Sequence, residues 1–98
     1  MARVVLTGPA ADDIDSIAEF IAADAPFRAT LFVEELIESA ERLENFPLSG
    51  RIIPEINNPD YREVIFGNYR IMYRVRNSLV EILRVFHGAR LFDETILN

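Results

Sequence analysis

Apolar positions follow two periods along this chain, and the change falls near residue 61. The opening stretch, Arg3-Val4-Val5-Leu6, is short and apolar and predicts a strand. Thr7-Gly8-Pro9 then supplies a helix start, because proline in the first turn gives up an N–H that has no helical partner there. Asp12, Asp13 and Asp15 follow near the positive end of the helix dipole, and Ile14, Ile17, Ala18 and Ile21 make one apolar stripe on a helix reaching about residue 23. Asp24-Ala25-Pro26 repeats the punctuation with Asp24 or Ala25 as the cap. Ala29, Phe32, Val33, Leu36, Ala40 and Leu43 line one side of the second helix, while Glu34, Glu35, Glu38, Glu41 and Glu44 occupy the other. Asn45-Phe46-Pro47 ends it, since the residue before a proline is pushed out of helical geometry. The short turn between the helices implies an antiparallel hairpin.

Residues 48–60 carry Gly50, Pro54, Asn57, Asn58 and Pro59 and read as loop. From Tyr61 the apolar period is two. Tyr61–Phe66 and Tyr69–Arg76 predict strands joined by Gly67-Asn68, a two-residue hairpin turn with glycine at its first central position, and Leu79–His87 follows Asn77-Ser78 as a third. The expected fold is α+β in one domain, residues 1–98: an N-terminal strand and an antiparallel two-helix hairpin packed on one face of a mainly antiparallel four-stranded sheet.

Antiparallel counting through two-residue turns divides the sheet into faces. Val64, Phe66, Tyr69, Ile71, Tyr73, Val75, Val80, Ile82 and Phe86 fall beneath the helices, with Arg62 and Arg84 as the charges among them. The opposite face takes Tyr61, Glu63, Ile65, Arg70, Met72, Arg74, Arg76, Leu79, Glu81, Leu83, Val85 and His87, and the two helices leave it bare. It is too apolar for a solvated surface, so a partner is expected there, the alternative being that residues 91–97 fold back over it. Arg74 should stand opposite Glu81, and a bulge near Arg84 would shift the assignment of residues 81–87.

Charge sharpens this picture. Residues 1–48 hold three arginines against ten acids, a net of −7, and residues 49–98 hold seven arginines against six acids, a net of +1. All ten basic side chains are arginine, whose planar fork suits fixed contacts with carboxylate or phosphate; a genome that favours arginine codons explains the usage equally well. A net charge of −6 disfavours sequence-independent nucleic-acid binding, and no direct sequence-specific nucleic-acid binding is expected of the chain alone. The absence of cysteine removes disulfides, thiolate metal sites and thiol nucleophiles. The first residues are too briefly apolar for a signal peptide or membrane span, so no membrane partner and a cytoplasmic location are expected.

Three segments taken together resemble the RelE/ParE toxin superfamily: Leu43-Glu44-Asn45-Phe46-Pro47-Leu48-Ser49-Gly50-Arg51, Gly67-Asn68-Tyr69-Arg70-Ile71-Met72-Tyr73-Arg74-Val75 and Ile82-Leu83-Arg84-Val85-Phe86-His87-Gly88-Ala89-Arg90. The similarity runs from the Leu6-Thr7-x-Pro9 helix start to Arg90. It implies a toxin of a type II toxin–antitoxin system neutralised by a small ParD-like antitoxin, whose flexible C-terminal segment docks along the helix hairpin and sheet. On the bare face the antitoxin-binding set is Ile65, Arg70, Met72, Arg74, Arg76, Leu83 and Val85.

The superfamily's two branches imply different chemistry. RelE-like members resemble ribosome-dependent mRNA endoribonucleases that hold phosphate with basic side chains and move protons with a C-terminal tyrosine or histidine. ParE-like members resemble non-hydrolytic inhibitors of DNA gyrase. Arg70 and Arg90 match two ribonuclease cations, but residues 91–98 contain no tyrosine, histidine or lysine, and Ile96 falls roughly where the base would be. Proton transfer contributes about 100- to 10,000-fold, so little cleavage should survive its loss. The expectation is therefore a gyrase inhibitor with no catalytic residues. The alternatives are a ribonuclease built on Arg70, Arg90 and His87, or a binding module that has lost toxicity. His87 is expected to hydrogen-bond its turn, Tyr69 and Tyr73 to pack in the core, and Asp12, Asp13 and Asp15 to serve the helix start; no metal or cofactor is expected.

Overall fold

A computed structural model describes residues 1–97. Its elements run β1 (Arg3–Leu6), α1 (Gly8–Ala22), α2 (Pro26–Glu41), a 3-10 turn (Arg42–Glu44), β2 (Arg51–Ile52), β3 (Tyr61–Phe66), β4 (Tyr69–Arg76), β5 (Leu79–His87) and a 3-10 turn (Glu94–Leu97). The sheet has five strands in the order β1-β5-β4-β3-β2, with β1 parallel to β5 and the other pairs antiparallel. The expected architecture holds, with one correction. Within the stretch read as loop, Arg51–Ile52 pairs with Arg62 and Glu63 and adds an edge strand that glycine and proline content conceals.

Both helices start as the sequence dictates, at prolines in their first turns. Thr7 caps α1 through its hydroxyl, which accepts from the Ala10 N–H, whereas Ala25 caps α2 without a side-chain bond. Gly67 takes φ +58°, the left-handed value that glycine tolerates at the first position of such a hairpin turn, and Asn77 takes +56° in the next.

The core lies between hairpin and sheet. Ala10 and Ile14 of α1 and Leu36, Ala40 and Leu43 of the α2 region pack on Ile71, Tyr73, Val80, Ile82 and Val85. Tyr73 is buried, and its hydroxyl donates to Pro47 O at 2.8 Å while accepting from Gly50 N–H at 3.0 Å. This ties the post-helix loop to the central strand. A β-carbon on Gly50 would sit 2.5 Å from that hydroxyl and 2.6 Å from Glu63 O, so glycine is required there for close approach.

One irregularity redirects the end of β5. Met72 pairs with Arg84 but Tyr73 pairs with Ile82, so Leu83 is an extra residue, a β-bulge. The Thr7 hydroxyl donates toward both Ile82 O at 2.9 Å and Leu83 O at 3.1 Å, which holds the bulge against the start of α1. Past the bulge the faces exchange. Val85 points into the helix-side core, and Phe86 joins the cluster on the other side, the reverse of the assignment from uniform alternation.

Candidate functional site

The face away from the helices is two half-faces with different fates. On one half, Met72 and Phe86 are buried by the protein's own loop and tail: Ile53 and Ile56 from the segment after β2, and Phe92, Ile96 and Leu97 from the C-terminal segment. Arg84 helps dock that tail, its Nη1 donating to Ile96 O at 2.8 Å while its Nε and Nη2 grip Asp13 of α1 at 2.6 and 2.8 Å. The expectation of a wholly bare face is thus corrected. Phe92, Ile96 and Leu97 are apolar side chains at the end of the chain, and packing on Met72 and Phe86 takes them out of water.

The covered half conceals a charged cluster. Glu63 is fully buried; its Oε1 accepts from Arg70 Nε at 2.6 Å and its Oε2 from Arg51 Nε at 2.6 Å. Arg70 is itself buried, and its Nη1 and Nη2 bond Glu55 at 2.9 and 2.7 Å in a fork. Its guanidinium carbon also lies 5.7 Å from the ring centre of Phe86 and 5.9 Å from that of Phe92. Bonding to Glu55, and then to Glu63, holds Arg70 protonated far above the working range. In turn, the hydrogen bonds from Arg70 hold the Glu55 carboxyl below its ordinary value.

The other half is open. Register places Arg3, Leu79 and Arg76 side by side across β1, β5 and β4, with Val5, Glu81 and Arg74 in the next row. Arg74 binds Glu81 at 2.6 Å, the cross-strand pair expected. Arg3 and Arg76 are exposed and form no ion pair among the described residues. Arg3 was not singled out from the sequence, because nothing local reveals that a parallel β1 lands beside Leu79.

The expected antitoxin-binding residues therefore part company. Ile65, 53 % exposed, and Arg76 are accessible, Arg74 and Leu83 are half-buried, and Arg70, Met72 and Val85 are enclosed by the protein itself, Val85 on the helix side. The ribonuclease trio is also divided. Arg70 is committed to two carboxylates, and His87 stacks edge-on against Tyr69, which belongs to the helix-side cluster. The His87 Nδ1 accepts the Ala89 N–H at 3.0 Å, so the imidazole closes its turn as expected. Arg90 rests over Phe86 at 5.6 Å and forms no ion pair among the described residues. Of the three aspartates at the helix start, Asp13 serves Arg84 and the Val85 N–H, and Asp12 and Asp15 are exposed. Among the described residues no helix is long and apolar enough to cross a membrane.

Large apolar side chains stand exposed elsewhere, Phe20 at 80 % and Phe27 at 75 % on the helix hairpin among them. Helical periodicity gave no sign of these, because both lie off the apolar stripes.

Comparison with known proteins gives concordant results. Residues 4–92 match the family described as ParE toxin of type II toxin-antitoxin system, parDE. The chain is 35% identical over 92 residues to Toxin RelE2 of Caulobacter vibrioides, covering 93% of this chain and 100% of that protein. Its fold is similar to a chain of the chromosomal ParDE toxin–antitoxin system from P. aeruginosa, with TM-score 0.76 and 23% identity over 89% of this chain and 96% of that one. With a family model over most of its length and a toxin relative 35% identical to it, this chain belongs to the ParE family of type II toxin–antitoxin systems.

Proposed function

We propose that this toxin acts by binding DNA gyrase, without cutting RNA, and that a ParD-like antitoxin neutralises it by covering the open half of the sheet. One observation carries the first part: Arg70, the cation best placed by sequence to hold a scissile phosphate, is buried and saturated by Glu55 and Glu63. Freeing it would strand the Glu63 carboxylate with Arg51 alone, a costly exchange in a low-dielectric site. The tail supplies no tyrosine, histidine or lysine to move a proton. Geometry of this kind supports recognition of a protein target by surface complementarity.

For the antitoxin, the supporting feature is the row Arg3, Leu79 and Arg76 with the nearby Arg74–Glu81 pair. Two exposed cations flanking an apolar side chain suit an acidic, apolar segment that orders as it binds. Leu83, half-buried at the bulge, adds some apolar area, and the exposed Ile65 lies toward the other end of the sheet, opposite Arg70. Induced expression in cells tests the target. Arrested growth with relaxed plasmid topoisomers and intact transcripts agrees with gyrase inhibition; transcripts cut on ribosomes with normal supercoiling would overturn it, and unimpaired growth would point to a binding module without toxicity.

A further inference from the structure

We infer that the cleft between α1 and the free edge of β5 is a binding site for a carboxylate carried on an aromatic or branched apolar group. β1 stops at Leu6, opposite Ile82, so the remainder of β5 has no strand on that side and α1 crosses it instead. The cleft left there has a volume of about 300 Å³ and is lined by Ile17, Phe20, Tyr69, Phe86, His87 and Arg90, among others. That volume is at the lower end of small-molecule sites and suits a single ring.

The polar groups decide the chemistry. Asp13 also borders the cleft, but its Oδ1 and Oδ2 are taken by Arg84 and the Val85 N–H, so it is a neutralised wall. Arg90 is exposed, forms no ion pair among the described residues and lies over Phe86 at 5.6 Å. The Ala89 N–H bonds His87 Nδ1, which leaves the proton of a neutral imidazole on Nε2 as a donor. Ser16 adds a hydroxyl at the rim. A cation and a donor over aromatic walls fit an anionic head on an apolar body, and exposed Phe20 gives that body a flank. The site is independent of the gyrase reading, because neither the open half-face nor Arg70 takes part.

The test uses the full chain and 4-fluorophenylacetate, followed by fluorine NMR and by amide shifts of the protein. Binding is expected in the millimolar range with shifts confined to α1 and the end of β5. Arg90→Gln should weaken it at least tenfold, Arg76→Gln should leave it unchanged, and 4-fluorophenylethanol should bind at least tenfold more weakly than the acid. Arg90 is exposed, so its replacement leaves the fold intact. Absence of binding, equal binding of the alcohol, or indifference to Arg90→Gln would overturn the assignment. Acetyl-glycyl-phenylalanine as a second probe distinguishes the source: tighter binding than the small acid assigns a peptide terminus, and weaker binding a free acid.

Discussion

Glu63 and Arg70 meet at 2.6 Å on adjacent strands, the carboxylate wholly out of solvent and the guanidinium nearly so. Each has a second partner nearer the surface, Arg51 for the acid and Glu55 for the base. This four-residue chain lies in the covered half of the sheet and engages Nε, Nη1 and Nη2 of Arg70. Arg70→Met should therefore lower stability by about 3 kcal/mol, because it leaves a buried acid with one partner. Adding Glu63→Leu should recover most of that loss, a coupling that urea denaturation of both single variants and the double variant measures.

The pH dependence follows from Glu55. Its carboxyl is held below the ordinary value of 4.5 chiefly by its hydrogen bonds to Arg70, so the folded state favours the ionised form more than the unfolded chain does. That stabilisation is complete above pH 4.5 and is lost as pH falls through the lowered value. Unfolding free energy should decline over that acid window, and Glu55→Gln should flatten the decline at its upper end. Denaturation curves between neutral pH and pH 3 check this.

Docking of the tail is also open to measurement. A chain ending at Arg90 loses Phe92, Ile96 and Leu97 and bares Met72, Phe86 and Ile53. At about 1.5–3 kcal/mol for each large apolar side chain fully buried, less the entropy of ordering the segment, the truncation should cost about 2–4 kcal/mol. It should also raise the fluorescence of a hydrophobic-surface dye. Unchanged stability with no dye response would mean that the tail does not cover the sheet.

Most of this fold was legible because it rests on local rules. Pro9, Pro26 and Pro47 mark helix boundaries through their own ring geometry, and Gly67 marks a turn through its φ. What escaped rests on distant contacts. β2 exists because Arg51 and Ile52 pair with Glu63 and Arg62, twelve and ten positions further on, which no window around Gly50 reveals. The Leu83 bulge depends on a hydroxyl from Thr7, and with it Val85 and Phe86 exchange sides. The same limit hid the candidate site's true extent. Alternation put Arg70 and Met72 on a bare surface, but only the tail's return shows that they are enclosed, and only the parallel placement of β1 brings Arg3 beside Arg76.

The open half-face yields a separate prediction. Arg3→Glu and Arg76→Glu replace exposed cations, so each should change stability by no more than about 0.5 kcal/mol. Together they should weaken the complex with a ParD-type antitoxin at least tenfold, read by titration calorimetry at low salt, where the difference is largest. Affinity indifferent to both reversals would place the antitoxin elsewhere.

The claim that this toxin binds its target without cutting RNA is tested most directly by two reactions run side by side with the purified protein. One follows gyrase supercoiling of relaxed plasmid, and the other follows primer extension on ribosome-bound mRNA. The account predicts blocked supercoiling, or trapped cleaved DNA, with full-length transcripts. Transcripts cut at discrete codons while gyrase runs unimpeded would contradict it.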